Sequence, residues 1–236
     1  MEKKIFLASQ TQAQIGSWRE KIRVAGVWFV DIPRTSSSSI IRELETAYGP
    51  PWGKSIPGDI CTRSEPLMRP HITARVMRQY LGDQIWSKLL VFSMIRNPWD
   101  RAISIYRYRL SRGHFNESLS FKDYLALQLR NCSKVESALF KYPAFRRSQF
   151  DFLSDRHGNI IVDRILRYET RADDLAKLSA DLDIECLGSL HLVASTSDQT
   201  RSYREYYDSE TESLVEMLYP KDIDFFGYRF DDEKEC

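Results

Sequence analysis

The sequence predicts an α/β protein, a single domain built on a parallel sheet with helices packed against it. Two apolar runs, residues 27–30 and 89–95, are continuous rather than alternating, as expected of strands buried on both faces. Each gives way to a segment with apolar residues at helical spacing. Ile40, Ile41, Leu44 and Tyr48 follow the first run; Trp99, Ile103, Tyr106 and Leu110 follow the second. Strands and helices then alternate through the rest of the chain, the pattern of a parallel sheet.

Taken in order, residues 1–22 are polar and read as an N-terminal extension, and residues 23–236 as the domain. A chain of 236 residues with 42% hydrophobic content is long enough to bury a sizeable core. The first strand spans 26–32 and the first helix 36–48. Residues 49–70 hold Pro50, Pro51, Pro57, Pro66 and Pro70 with Gly49, Gly53 and Gly58. This long irregular connection is of the kind that often carries function. A helix is expected from Thr73 to Leu81, stopped by Gly82. The second strand, 89–95, should be central. Asn97 is a good N-cap and Pro98 a good first residue for the helix that runs to about Ser111. Its core face should carry Trp99, Ile103, Tyr106 and Leu110. Residues 120–147 read as mainly helical. Residues 155–159 read as a turn, 160–166 as a strand, 170–181 as a helix and 203–219 as another. The aromatic tail 222–230 should dock on the body.

Composition removes several function classes. A net charge of +1 gives no basic field for nucleic acid. The four cysteines, at 61, 132, 186 and 236, form no Cys-x-x-Cys pair, and no His/Cys/Asp cluster has ligand spacing, so no metal site is expected. No apolar stretch is long enough for a secretory signal or a membrane span. Together these lead to the expectation of a cytoplasmic protein.

The chemistry concentrates at the two strand-to-helix junctions. In the first, residues 29–40 (FVDIPRTSSSSI), a strand passes through Pro33 and Arg34 into five hydroxyl residues and a helix start. Unpaired N–H groups and the helix dipole favour an anion there. Arg34 adds a fixed charge, and Thr35, Ser36, Ser37, Ser38 and Ser39 add hydroxyl donors. The anion is expected to be a phosphate. The loop lacks the Gly-x-x-x-x-Gly-Lys pattern of an ordinary triphosphate site. In the second junction Arg96 leaves a strand end just where a helix begins. Ser104 follows two turns on, with Arg101 beside it. Ligands of such sheets bind outside the carboxyl ends of the strands. A capped helix with a local salt bridge from Asp100 explains residues 96–101 equally well when they are taken alone.

The loop 29–40 resembles the 5′-phosphosulfate-binding loop of sulfotransferases. Residues 92–106 (FSMIRNPWDRAISIY) resemble their 3′-phosphate-binding element. The ending, from Tyr203-Arg204-Glu205-Tyr206-Tyr207 to Phe226-Gly227-Tyr228-Arg229-Phe230, is similar to the carbohydrate-type branch, and the likeness covers roughly residues 26–230. It implies a P-loop-like α/β fold and the donor 3′-phosphoadenosine 5′-phosphosulfate (PAPS). The partners it implies are PAPS, the product 3′,5′-adenosine bisphosphate (PAP), and a hydroxylated acceptor such as a carbohydrate. By that likeness Arg34 with Thr35 to Ser39 would hold the 5′-phosphosulfate, and Arg96 with Ser104 the 3′-phosphate. The sequence departs from the family at three positions. Lysine usually stands at 34 and glycine at 36 and 37. Arginine keeps the charge and can fork onto two oxygens. Serine in place of glycine fits only if the backbone φ there is negative.

In-line transfer needs a base near the acceptor oxygen. His71, between the long loop and the second strand, resembles the base of related carbohydrate sulfotransferases. His157 reads as a solvated turn residue, His114 as a helix-exit cation, and His191 as a loop residue. Asp31, Glu43 and Glu45 are alternative bases, the two glutamates reading as exposed helix charges. Trp52, Tyr106 and Tyr108 are candidate sugar contacts. Two other functions fit the same loops less well: a kinase-like phosphotransferase using ATP, and a nucleotide-binding module of the same fold that has lost activity. Oligomeric state and acceptor identity are not legible.

Overall fold

The computed structural model describes residues 12–49, 71–130, 143–182 and 202–232. Helix α1 (Gln12–Ala25) leads into β1 (Val27–Val30), and α2 (Ser37–Tyr48) follows the loop after it. Then come α3 (Ala74–Leu81), the single turn α4 (Asp83–Trp86), β2 (Leu90–Ile95), α5 (Pro98–Ser111) and α6 (Phe121–Leu129). The second half holds α7 (Gln149–Leu153), β3 (Arg164–Arg167), α8 (Arg171–Leu182), α9 (Ser209–Leu218) and α10 (Pro220–Phe226). Short 3-10 turns precede α7 and α9.

Among the described residues the sheet has three strands in the order β1-β2-β3, all parallel. Register runs from Val27 beside Leu90 to Val30 beside Ser93. On the other edge it runs from Phe92 beside Arg164 to Ile95 beside Arg167. β2 is therefore central, as its unbroken apolar sequence requires. Every residue of β1 is buried. With all strands pointing one way, the segments after Val30, Ile95 and Arg167 meet at one edge, and that edge carries the site.

Several elements differ from their sequence expectation. The third strand is Arg164–Arg167 rather than 160–166; Ile160 instead makes an isolated antiparallel bridge to Ser154 across the 155–159 turn. The expected helix 203–219 is broken at Tyr207 and Asp208. Asp208 caps a new helix there by accepting from the Thr211 N–H at 2.8 Å. Residues 120–147 are only partly helical where described, and α4 was not expected. On α5, Trp99 and Ile103 are buried, but Tyr106 and Leu110 are only partly so, because Ile105 and Arg109 take the deepest positions. α1 spans Gln12–Ala25, with Ile22 fully buried. The tail docks as expected: Tyr228 is buried, and Phe230 meets Trp99 edge-on at 5.8 Å.

No helix among the described residues is long and apolar enough to cross a membrane. The four cysteines, the Pro-rich connection 50–70, Trp52 and His191 lie outside the described residues.

Candidate active site

The loop after β1 turns sharply before α2 begins. Arg34 and Ser36 both sit in left-handed backbone, with φ of 68° and 69°. The expectation that serine would keep a negative φ at the glycine positions fails at Ser36 and holds at Ser37, which is already helical. A left-handed residue with a Cβ costs about 1–2 kcal/mol, and such strain tends to persist at functional sites. No side chain caps α2, and while the Ser39 N–H donates to the Ser36 carbonyl at 3.3 Å, those of Ser37 and Ser38 can serve an anion.

The hydroxyls of this loop are not equivalent. Thr35 is fully buried and donates to the Ile32 carbonyl at 2.9 Å, so what it can offer an anion is its backbone N–H. Ser37 and Ser39 are buried, Ser36 is half-buried and Ser38 is exposed. Ile40 and Leu44 anchor the helix behind them.

The two junctions meet through their arginines. Arg34 Nε donates to Ser104 Oγ at 3.0 Å, and Arg96 Nη1 donates to the Arg34 carbonyl at 3.1 Å. Arg34, Arg96 and Ser104, 70 residues apart at the extremes, thus form one cluster. Arg34 also lies over the Tyr108 ring at 4.8 Å, and Arg96 over Tyr168 at 4.2 Å. Burial, and then the neighbouring Arg96 guanidinium, pull Arg34 down to about 10. Two guanidinium groups that disfavour each other's charge are relieved by an anion placed between them.

Arg96 is held more firmly. Its Nε and Nη2 form a fork onto Asp100 at 2.9 and 2.7 Å, the local salt bridge the sequence allowed. Burial opposes its charge, but Asp100 and Tyr168 outweigh it and the pKa is raised. The Gln149 amide brackets its backbone, accepting from Arg96 N and donating to Arg96 O, both at 2.8 Å. Asp222 in turn accepts from the N–H groups of Gln149 and Phe150 at 2.8 Å. Arg101 does not face the site. It is fully buried and donates to the carbonyls of Pro33 and Arg147, tying the anion loop to the start of α7.

His71, just before α3, places Nδ1 3.1 Å from the Asp31 carboxylate at the end of β1. Its ring lies 6.3 Å from Phe145; Phe145 lies 5.8 Å from Tyr108, and Tyr108 carries Arg34. An aromatic floor thus joins the candidate base to the candidate anion loop. A separate polar cleft of about 210 Å³ is lined by Arg75 of α3 and by Arg147, Asp151, Ser154 and Asp155 in and around α7. Its acids have partners of their own: Lys221 on Asp151 and the turn N–H groups on Asp155.

Of the other candidates, His157 is exposed in its turn, as read. His114 follows α5, its N–H on the Arg109 carbonyl. Glu43 is buried on α2 rather than exposed. Tyr106 packs among Phe115, Phe121 and Tyr124 and donates to the Leu119 carbonyl, a packing role. Phe145, Gln149, Tyr168 and Glu169 were not foreseen. Tyr168 and Glu169 directly follow β3, and a correctly placed strand end would have pointed to them.

These features define an α/β protein in which two basic strand ends converge. A sequence model of the sulfotransferase family matches residues 23–229, most of the chain, and the protein belongs to that family. No curated protein and no solved structure matches it.

Proposed function

We propose that the protein is a PAPS-dependent sulfotransferase of P-loop-like fold that moves a sulfuryl group onto a hydroxyl, or an amine, of a carbohydrate or other small polar acceptor. The observation that carries this is the Arg34–Ser104–Arg96 cluster, in which the two elements resembling donor-binding motifs meet within hydrogen-bond distance. Sulfotransferases in general use PAPS, and the residues present suit its charge.

In this reading Arg34 and the N–H groups from Thr35 to Ser38 hold the 5′-phosphosulfate, with the exposed Ser38 hydroxyl free to turn toward it. Arg96 and Ser104 hold the 3′-phosphate. The acceptor oxygen attacks sulfur, and the bond from sulfur to the bridging oxygen of the 5′-phosphate breaks. His71 takes the acceptor proton, and the bisphosphate leaves with the electron pair. Arg34 stabilises that leaving charge electrostatically, since a guanidinium is a poor proton donor. The aromatic floor beside His71 offers a face for a sugar ring.

The test is calorimetric titration with PAP beside ATP, with and without Mg²⁺, and AMP, in the wild-type protein and in Arg34→Ala and Arg96→Ala. Micromolar binding of PAP, weak binding of AMP and loss in both variants are expected. A preference for ATP with Mg²⁺ would move the protein to the phosphotransferases. PAP binding without turnover on any acceptor would make it an inactive module of the fold.

A further inference from the structure

Asp31 is a buried carboxylate, 5% exposed, at the carboxyl end of β1. One of its oxygens meets His71 Nδ1 at 3.1 Å; the other, Oδ1, is buried without a hydrogen-bond partner. A carboxylate so placed costs stability unless its charge is matched, so its retention needs a reason other than packing. The backbone carbonyl of the same residue lies 3.3 Å from the same ring nitrogen. A carbonyl oxygen only accepts hydrogen bonds, and so does an ionised carboxylate. Both neighbours therefore require Nδ1 to carry a proton. In a neutral imidazole that leaves the lone pair on Nε2.

We infer that Asp31 is a positioning residue that holds His71 in the Nδ1–H tautomer and leaves Nε2 as the proton acceptor for the incoming hydroxyl. The inference rests on the base role proposed for His71. The logic is that of any base oriented by a carboxylate: the acid does not touch the substrate but fixes which nitrogen is basic and where it sits. It also links base and donor. Asp31 lies on the same strand end as Arg34, three residues before it, so one short segment sets the positions of both. Phe145 lies beside the His71 ring, with centroids 6.3 Å apart.

Tautomers can be read without turnover. The experiment is long-range ¹H–¹⁵N correlation of the histidine side chains in the full chain with PAP added, at alkaline pH where the imidazoles are neutral. His71→Gln identifies the His71 signals by their loss. The wild type should show a protonated Nδ1 and a bare Nε2. Asp31→Ala, left with only the more distant backbone acceptor, should move to a mixture of tautomers. Asp31→Asn, whose amide oxygen can still accept, should stay closer to wild type. If the Ala variant fails to fold, the wild-type tautomer alone decides the inference. A wild-type signal from Nε2–H would overturn the inference, as would an Asp31→Ala protein that keeps the wild-type tautomer. Should the expected tautomers appear in a protein that does not bind PAP, the donor reading fails and the Asp31–His71 pairing stands.

Discussion

The two strand-to-helix junctions look alike in sequence and are built in opposite ways. After β1 the chain passes through two left-handed residues, and α2 begins with no side-chain cap. After β2 the turn is unstrained and α5 is fully capped: Asn97 accepts from the N–H groups of Trp99 and Asp100, and Pro98 fills the first helical position. The Asn97 N–H itself donates to Glu169 at 2.6 Å. An anion can use the backbone donors and dipole of the first helix, but those of the second are already engaged. The second junction contributes side chains, Arg96 and Ser104, held by a surrounding frame. The comparison separates a junction shaped to receive charge from one shaped to hold charge in place.

The largest effect should come from breaking that frame. Asp100 is buried and Arg96 largely so, its side chain 12% exposed, and Arg96→Ala takes the forked guanidinium away from the carboxylate. We expect a loss of about 3–5 kcal/mol in stability, read by denaturant unfolding. Arg96→Ala with Asp100→Asn should recover much of the stability and none of the PAP binding. Recovery of both would mean that Arg96 is a structural strut only.

Next is the receiving junction. Arg34→Ala should lower turnover of PAPS by about 10²–10³-fold, the range for removal of one preorganised donor at developing charge. Its thermal stability should change little, because Arg34 is in part an uncomfortable charge beside Arg96. Arg34→Lys should keep most of the donor binding, as lysine retains the charge, but lose the Nε contact to Ser104. A large stability loss in Arg34→Ala would erase the distinction between the junctions.

How much of this could be read from the sequence follows the same division. β1, β2, α5 and its cap were legible, because apolar runs, Asn-Pro and helical spacing are local signals. The family was legible for the same reason, since both motifs are contiguous. The long-range parts were not. Nothing in residues 143–150 marks Gln149 as the bracket on Arg96, and nothing near Pro220 marks Asp222 as the acceptor for the first N–H groups of α7. Those contacts exist only once distant segments pack. Arg101 shows the limit of spacing arguments: three residues from Ser104 it reads as a neighbour at the site, yet it turns inward to Pro33 and Arg147. Strand β3 was misplaced because residues 160–162 are as apolar as those that pair.

A smaller effect tests the cap. Asn97→Ala removes the acceptor for two N–H groups of α5 and the donor to the Arg229 carbonyl at 2.9 Å. A loss of about 1–2 kcal/mol is expected. If the anion site is confined to side chains here, the affinity for PAP, measured well below the melting temperature, should fall by no more than about threefold, a difference under 1 kcal/mol. A loss of binding as large as that of Arg34→Ala would show that the N-terminus of α5 takes part directly.

The smallest effect is the most discriminating, because the two substitutions should have opposite signs. Family loops carry glycine where Ser36 and Ser37 stand, but the geometry calls for it only at Ser36, whose φ is 69°. Ser36→Gly should relieve left-handed strain of about 1–2 kcal/mol and give back part of it through the freer unfolded chain. The net gain should be roughly 0.5–1 kcal/mol, a rise of about 1–4 °C in melting temperature for a domain of this size. Ser37 already has helical backbone in the first turn of α2, so Ser37→Gly relieves nothing and should lower stability by a few tenths of a kcal/mol. If both variants gain, the strain extends past Ser36 and α2 starts later than Ser37. If both lose, the Ser36 side chain itself holds the loop. Only opposite signs would place the left-handed turn at Ser36 and the start of α2 at Ser37.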